Sequence, residues 1–112
     1  MPAPRKPPAP PGAVELIRLA PAADRQLDRL IRHYEDLGRW QALANLDEML
    51  AEASEIIAED PRAGLPSHPA YPGLARPSRR WIHVRNYWLV YTLRPLRIAA
   101  IMYETAHPPH HV

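Results

Sequence analysis

The stretch "SRRWIHVRNYWLVY", residues 78–91, sets Arg79, Arg80, Arg85 and His83 among Trp81, Tyr87, Trp88 and Tyr91. Guanidinium groups grip phosphates and carboxylates through paired hydrogen bonds. Aromatic rings stack nucleic-acid bases or anchor protein interfaces, and an imidazole can take or give a proton near neutral pH. The residue types therefore fit a surface that holds a polyanion or docks a protein partner. The spacing decides which of them can share a face.

Three aromatic and β-branched runs, "RRWIHV", "YWLVYTL" and "RIAAIMYE", are separated by Arg85-Asn86 and by Arg94-Pro95-Leu96. Such runs divided by turn residues predict an antiparallel meander. A two-residue turn at Arg85-Asn86 would pair Val84 with Tyr87, Ile82 with Leu89 and Arg80 with Tyr91 on one face. The other face would pair His83 with Trp88, Trp81 with Val90 and Arg79 with Thr92. This register needs positive φ at the turn, for which Arg-Asn is not ideal.

The elements that must position this sheet lie upstream. "AVELIRLA" (13–20) reads as a short strand ended by Pro21, which suits the first turn of a helix. Leu27, Leu30, Ile31, Tyr34 and Leu37 then recur at spacings of three and four and draw one apolar stripe. Gly38 breaks that helix, and Trp40, Leu43, Leu46, Leu50, Ala53 and Ile57 mark a second stripe that runs to Asp60-Pro61. The short link implies a helical hairpin. Residues 61–78 hold five prolines and two glycines and predict a long loop. The expected fold is α+β in the order β-α-α-β-β-β, with the helical hairpin packed on one face of a small antiparallel sheet. The helices can cover only one face, so the other is expected to expose an aromatic and arginine patch unless the proline-rich loop or the N-terminal arm folds over it.

Composition narrows the chemistry. The 112-residue chain suffices for one domain, expected over residues 13–107, with a proline-rich basic arm at 1–12 and a flexible tail at 108–112. It has no cysteine, which removes disulfides and thiolate zinc sites and fits a reducing compartment, so the expected location is the cytoplasm. No apolar run is long enough to span a membrane. The net charge of +2 conceals a division: residues 13–60 carry five arginines against eleven acids, and residues 61–112 carry seven arginines against Glu104 alone. A basic layer of that kind suits nucleic acid or an acidic protein. His107, His110 and His111 near the C-terminus invite a metal, but the intervening prolines and the lack of Cys or paired carboxylates argue against a site, and no cofactor is expected. No glycine loop has phosphate-cradling spacing.

The order of strand, helical hairpin, "AEDPRAG", "RRWIHVRNYWLVY" and "RIAAIMYETAH" resembles the RelE/ParE family of type II toxin-antitoxin toxins, over most of the chain from Ala13 to about His107. The resemblance implies a small toxin, ParE-like, neutralised by a cognate antitoxin that covers its functional surface. It also implies one of two targets: DNA gyrase, bound without chemistry, or mRNA in the ribosome, cut by an endonuclease. Cutting would need groups for the phosphate and for proton transfer, for which Arg79, Arg80, His83, Tyr91 and His107 are the candidates. Many relatives carry a pattern like "RVLHxAR" along the last strand, where this chain has Ile101, Glu104 and His107 at the Arg, His and Arg positions. That departure favours the docking activity, with Trp81, His83, Arg85, Trp88 and Tyr103 as partner-binding candidates.

Overall fold

The computed structural model describes residues 16–106. The expected arm and tail, Ala13 to Glu15 and His107 lie outside the described residues. Helix α1 (Pro21–Asp36) and helix α2 (Trp40–Glu59) form a hairpin, followed by strands β1 (Arg79–Val84), β2 (Tyr87–Leu93) and β3 (Leu96–Tyr103). The strands make one antiparallel sheet in the order β1-β2-β3. The helix-helix-β-β-β order is the expected α+β fold. Among the described residues, the first expected strand is reduced to one parallel bridge, Leu19 to Ile98. Ile98 N–H donates to the Arg18 carbonyl (2.9 Å) and Ala20 N–H to the Ile98 carbonyl (2.8 Å).

Helix α1 starts on Pro21, whose missing N–H costs nothing there, and Asp24 places a negative charge in its first turn. Gly38, at φ +64°, turns the chain between the helices. The stripes point inward largely as spaced: Tyr34, Leu46, Leu50, Ala53 and Ile57 are buried, and Leu27, Leu30, Ile31 and Leu43 pack against them. Two stripe residues depart from expectation. Leu37 is 58% exposed and Trp40 is 66% exposed, because both sit at the bend, beyond the turns that face the sheet. Met49, which the stripe did not include, is fully buried.

The β1–β2 register is the expected one in every pair, from Arg79 opposite Thr92 to Val84 opposite Tyr87. At its turn Arg85 alone takes positive φ (54°). Between β2 and β3 the register shifts after Val90, which pairs with Ala100 while Tyr91 pairs with Ile98. This bulge resets the alternation, so Ile98 and Ile101, three residues apart, both join the helix-side core. Burying a side chain of that size contributes roughly 1.5–3 kcal/mol.

The face away from the helices is not bare. Leu65 bridges Trp81 at the β1 edge through two 2.7 Å backbone hydrogen bonds. From there the loop turns onto this face: the His68 ring meets Trp81 and Trp88, and Leu74 packs on a second apolar cluster of Trp81, Val90, Ala100 and Met102. The proline-rich loop thus covers the centre of the face expected to be exposed. Eighteen residues rich in fixed φ angles can lie across a sheet at modest entropic cost.

Candidate functional site

The residues proposed for cutting a phosphodiester are placed on two faces of the sheet. Arg80 and Tyr91 are register partners on the helix side, and Arg79 pairs with Thr92 on the opposite face. His83 lies on the same face as Arg79 but four residues along β1, roughly 13 Å away at strand rise. Tyr91 is fully buried. Its hydroxyl donates to the Pro61 carbonyl (2.6 Å) and accepts from Gly64 N–H (3.1 Å). Burial pushes the Tyr91 phenol up, opposed by the Gly64 hydrogen bond and by the Arg80 charge, and reinforced by Asp60. Gly64 is required by this contact: a Cβ there would fall 2.6 Å from the Tyr91 hydroxyl and 2.8 Å from Arg80 Cβ. His107 lies outside the described residues. The placement of Tyr91 is that of a bolt between β2 and the loop.

The partner-binding candidates are equally divided. Trp81, expected on an open face, is fully buried beneath the loop. Trp88 is half-buried between two imidazoles, with ring centroids 4.4 Å from His68 and 5.0 Å from His83. His68 is held by Ala70 N–H, which donates to its Nδ1 (3.0 Å), and its pKa is lowered by burial and by His83. His83 Nε2 meets Glu104 Oε2 at 3.0 Å on the surface. Arg85 reaches back to α2, with Nη1 3.1 Å from Glu48 and Nε 2.9 Å from Glu52. These two ion pairs tie the β-hairpin tip to the helices.

Tyr103 remains 40% exposed. It stands edge-on to Tyr87, whose ring centroid is 5.6 Å away. Tyr87 and Tyr34 share a 2.6 Å hydrogen bond between their hydroxyls. Burial, with that hydrogen bond second, raises the Tyr87 pKa beyond the physiological range. The Arg39 guanidinium lies 5.6 Å over the Tyr34 ring. With Trp40, Asn45 and Asn86, these groups line an open cleft of about 400 Å³ between the helix bend and the hairpin tip. It is here that aromatic and arginine side chains meet solvent together. Among the described residues no group of His and carboxylates could hold a metal ion.

Residues 17–104 match the family model described as the ParE toxin of the type II toxin-antitoxin system, parDE. The chain belongs to the ParE toxin family. Membership in a toxin-antitoxin family implies a cognate antitoxin as partner of this ParE-family chain. No curated protein and no solved structure is a significant match to it. No helix among its described residues is long and apolar enough to cross a membrane.

Sequence reasoning missed two features of this ParE-family chain. Trp40 belongs to the expected helical stripe and Arg39 enters only the charge count, although their place directly after Gly38 marks both as bend residues. His68 was passed over in the loop, although "SHPAYPGL" sets it three residues from Tyr71, and the two rings meet at 5.0 Å.

Proposed function

We propose that this chain arrests growth as a ParE-type toxin that binds a protein target, DNA gyrase, and that it is not an mRNA endonuclease. The observation that carries the reading is the dispersal of the nuclease candidates. General acid–base catalysis needs its groups within about 3 Å of the atoms they serve, whereas Arg79 and His83 lie far apart on one face and Arg80 and Tyr91 on the other. Tyr91 has both its donor and its acceptor capacity spent on the Pro61 and Gly64 backbone. The cleft at the helix bend supports docking instead. Trp40, Arg39 and Tyr103 are the residue types that dominate protein-binding hot spots, and they are exposed together around the cleft.

The experiment is induced expression in a growing bacterium with DNA and protein synthesis pulse-labelled separately over the first minutes. An early, selective fall in DNA synthesis with double-strand breaks is expected. A first fall in protein synthesis, with mRNA cut at discrete sites, would overturn the reading in favour of the ribosome-dependent nuclease.

A further inference from the structure

Among the described residues two arginines have carboxylate partners, and the remaining ones differ in how closely they cluster. Arg85, at the hairpin tip, is neutralised by Glu48 and Glu52, and Arg32 faces Asp28 at 3.5 Å. At the opposite end of the sheet the pattern reverses. Arg79 and Arg97 flank Thr92 in one cross-strand row, roughly 10 Å apart at ordinary strand spacing. Arg94 occupies the β2–β3 turn at the same end and is exposed. Arg76 accepts the Arg79 N–H at its carbonyl (3.1 Å), and Arg18 lies beside β3 through its hydrogen bond to Ile98. Among the described residues no carboxylate pairs with any of these five. The single acid of residues 61–106, Glu104, is at the far end with His83.

We infer that this sheet end, Arg76, Arg79, Arg94, Arg97 and Arg18, is a docking surface for the phosphodiester backbone of duplex DNA. Exposed or half-exposed arginines with no carboxylate partner among the described residues offer phosphate oxygens their remaining N–H donors, although Arg76 Nη1 also donates to the Ala75 carbonyl (2.9 Å). Among the described residues the exposed aromatic side chains, Trp40 and Tyr103, are at the other end, and the exposed aliphatic ones flanking the sheet, Leu16 and Leu65, stand apart from one another on separate segments. A single strand would want stacking platforms and an acidic protein segment an apolar anchor. A duplex asks only for charge and position, since backbone contacts orient without reading sequence. The inference rests on no choice of toxin target, because it concerns the surface opposite the proposed gyrase-docking cleft.

The test is fluorescence anisotropy of a labelled random-sequence DNA duplex of about twenty base pairs, titrated with the full chain across a range of salt. Three variants are compared: the triple Arg79→Gln/Arg94→Gln/Arg97→Gln, the single Arg94→Gln in the exposed turn, and a control of equal charge loss on α1, Arg25→Gln/Arg29→Gln/Arg32→Gln. Each lost phosphate contact lowers the slope of log affinity against log salt by about 0.9. The triple variant should therefore lose about 2 to 3 units of slope and at least tenfold in affinity at low salt, and the single about one unit. The α1 control should keep the slope of the parent. Arg94→Gln, at a solvent-exposed turn, tests the surface even where the triple variant fails to fold. Unchanged slopes in both sheet-end variants, equal losses in the α1 control, or tighter binding of single-stranded DNA or poly-glutamate than of the duplex would each overturn the inference.

Discussion

A side chain at Gly64 and the hydroxyl of Tyr91 would contest the same space: the Cβ position lies 2.6 Å from that oxygen. The loop closes on the sheet only because residue 64 has no side chain. Tyr91→Phe should then leave the Gly64 N–H and the Pro61 carbonyl without their partner and cost about 1–3 kcal/mol in urea unfolding. Gly64→Ala should cost a similar amount by overpacking. The double variant should cost less than the two singles together, since the hydroxyl overlap is gone while the contacts with Arg80 Cβ and the ring Cε1 stay. Toxicity in Tyr91→Phe is expected to track the folded fraction. A variant of full stability and no toxicity would return Tyr91 to an active role.

Arg85 carries two opposing effects in one residue. Its ion pairs to Glu48 and Glu52 join half-exposed side chains, so Arg85→Ala should lose no more than about 1 kcal/mol, and less in high salt. Its backbone sits at φ 54°, which disfavours any L residue by roughly 1–2 kcal/mol. Arg85→Gly should therefore be at least as stable as Arg85→Ala. Chemical denaturation of the two variants at low and high salt measures both effects.

Acid should loosen the loop through His68. Burial lowers its pKa below the ordinary 6.5, so the unfolded chain takes up the proton first as the pH falls. The stabilisation is complete above pH 6.5 and is lost as the pH drops from there toward the folded value. Electrostatic interaction with His83, the smaller cause, acts in the same direction. His68→Asn keeps an acceptor for Ala70 N–H and cannot titrate. Melting temperatures between pH 7 and pH 5 should fall more steeply for the parent than for this variant, and parallel curves would rule the mechanism out.

Trp40 separates docking from folding. At 66% exposure its replacement by Ala should change stability by no more than about 0.5 kcal/mol. The same change should weaken target binding by about tenfold or more if the bend is the hot spot. Growth arrest on induction, measured beside the thermal midpoint of the purified variant, checks it. Full toxicity in Trp40→Ala would move the docking surface elsewhere.

Local chemistry determined a good deal of this protein. The apolar stripes with Pro21 and Gly38 between them were enough for two helices and a bend, because helix start, face and stop are each set by residues within a turn or two. The β1–β2 pairing was legible for the same reason, since a two-residue turn leaves one register in which the alternation matches. The order and spacing of those pieces carried the family, and the charge division was legible apart from it.

Tertiary structure decided the rest. The bulge after Val90 put Ile98 and Ile101 on one face, against strict alternation, and no pattern in "RIAAIMYE" announces it. The fate of the second face depended on whether eighteen residues of loop fold back. Their anchors, Leu65 on Trp81 and Gly64 on Tyr91, join positions far apart in the chain. That closure buried Trp81 on the far face and fixed the Tyr91 hydroxyl on the helix side, while Trp40, Arg39 and Tyr103, which the loop does not reach, line the exposed cleft. Exposure is a property of what lies above a side chain, and nothing in a residue's own neighbours along the sequence specifies it.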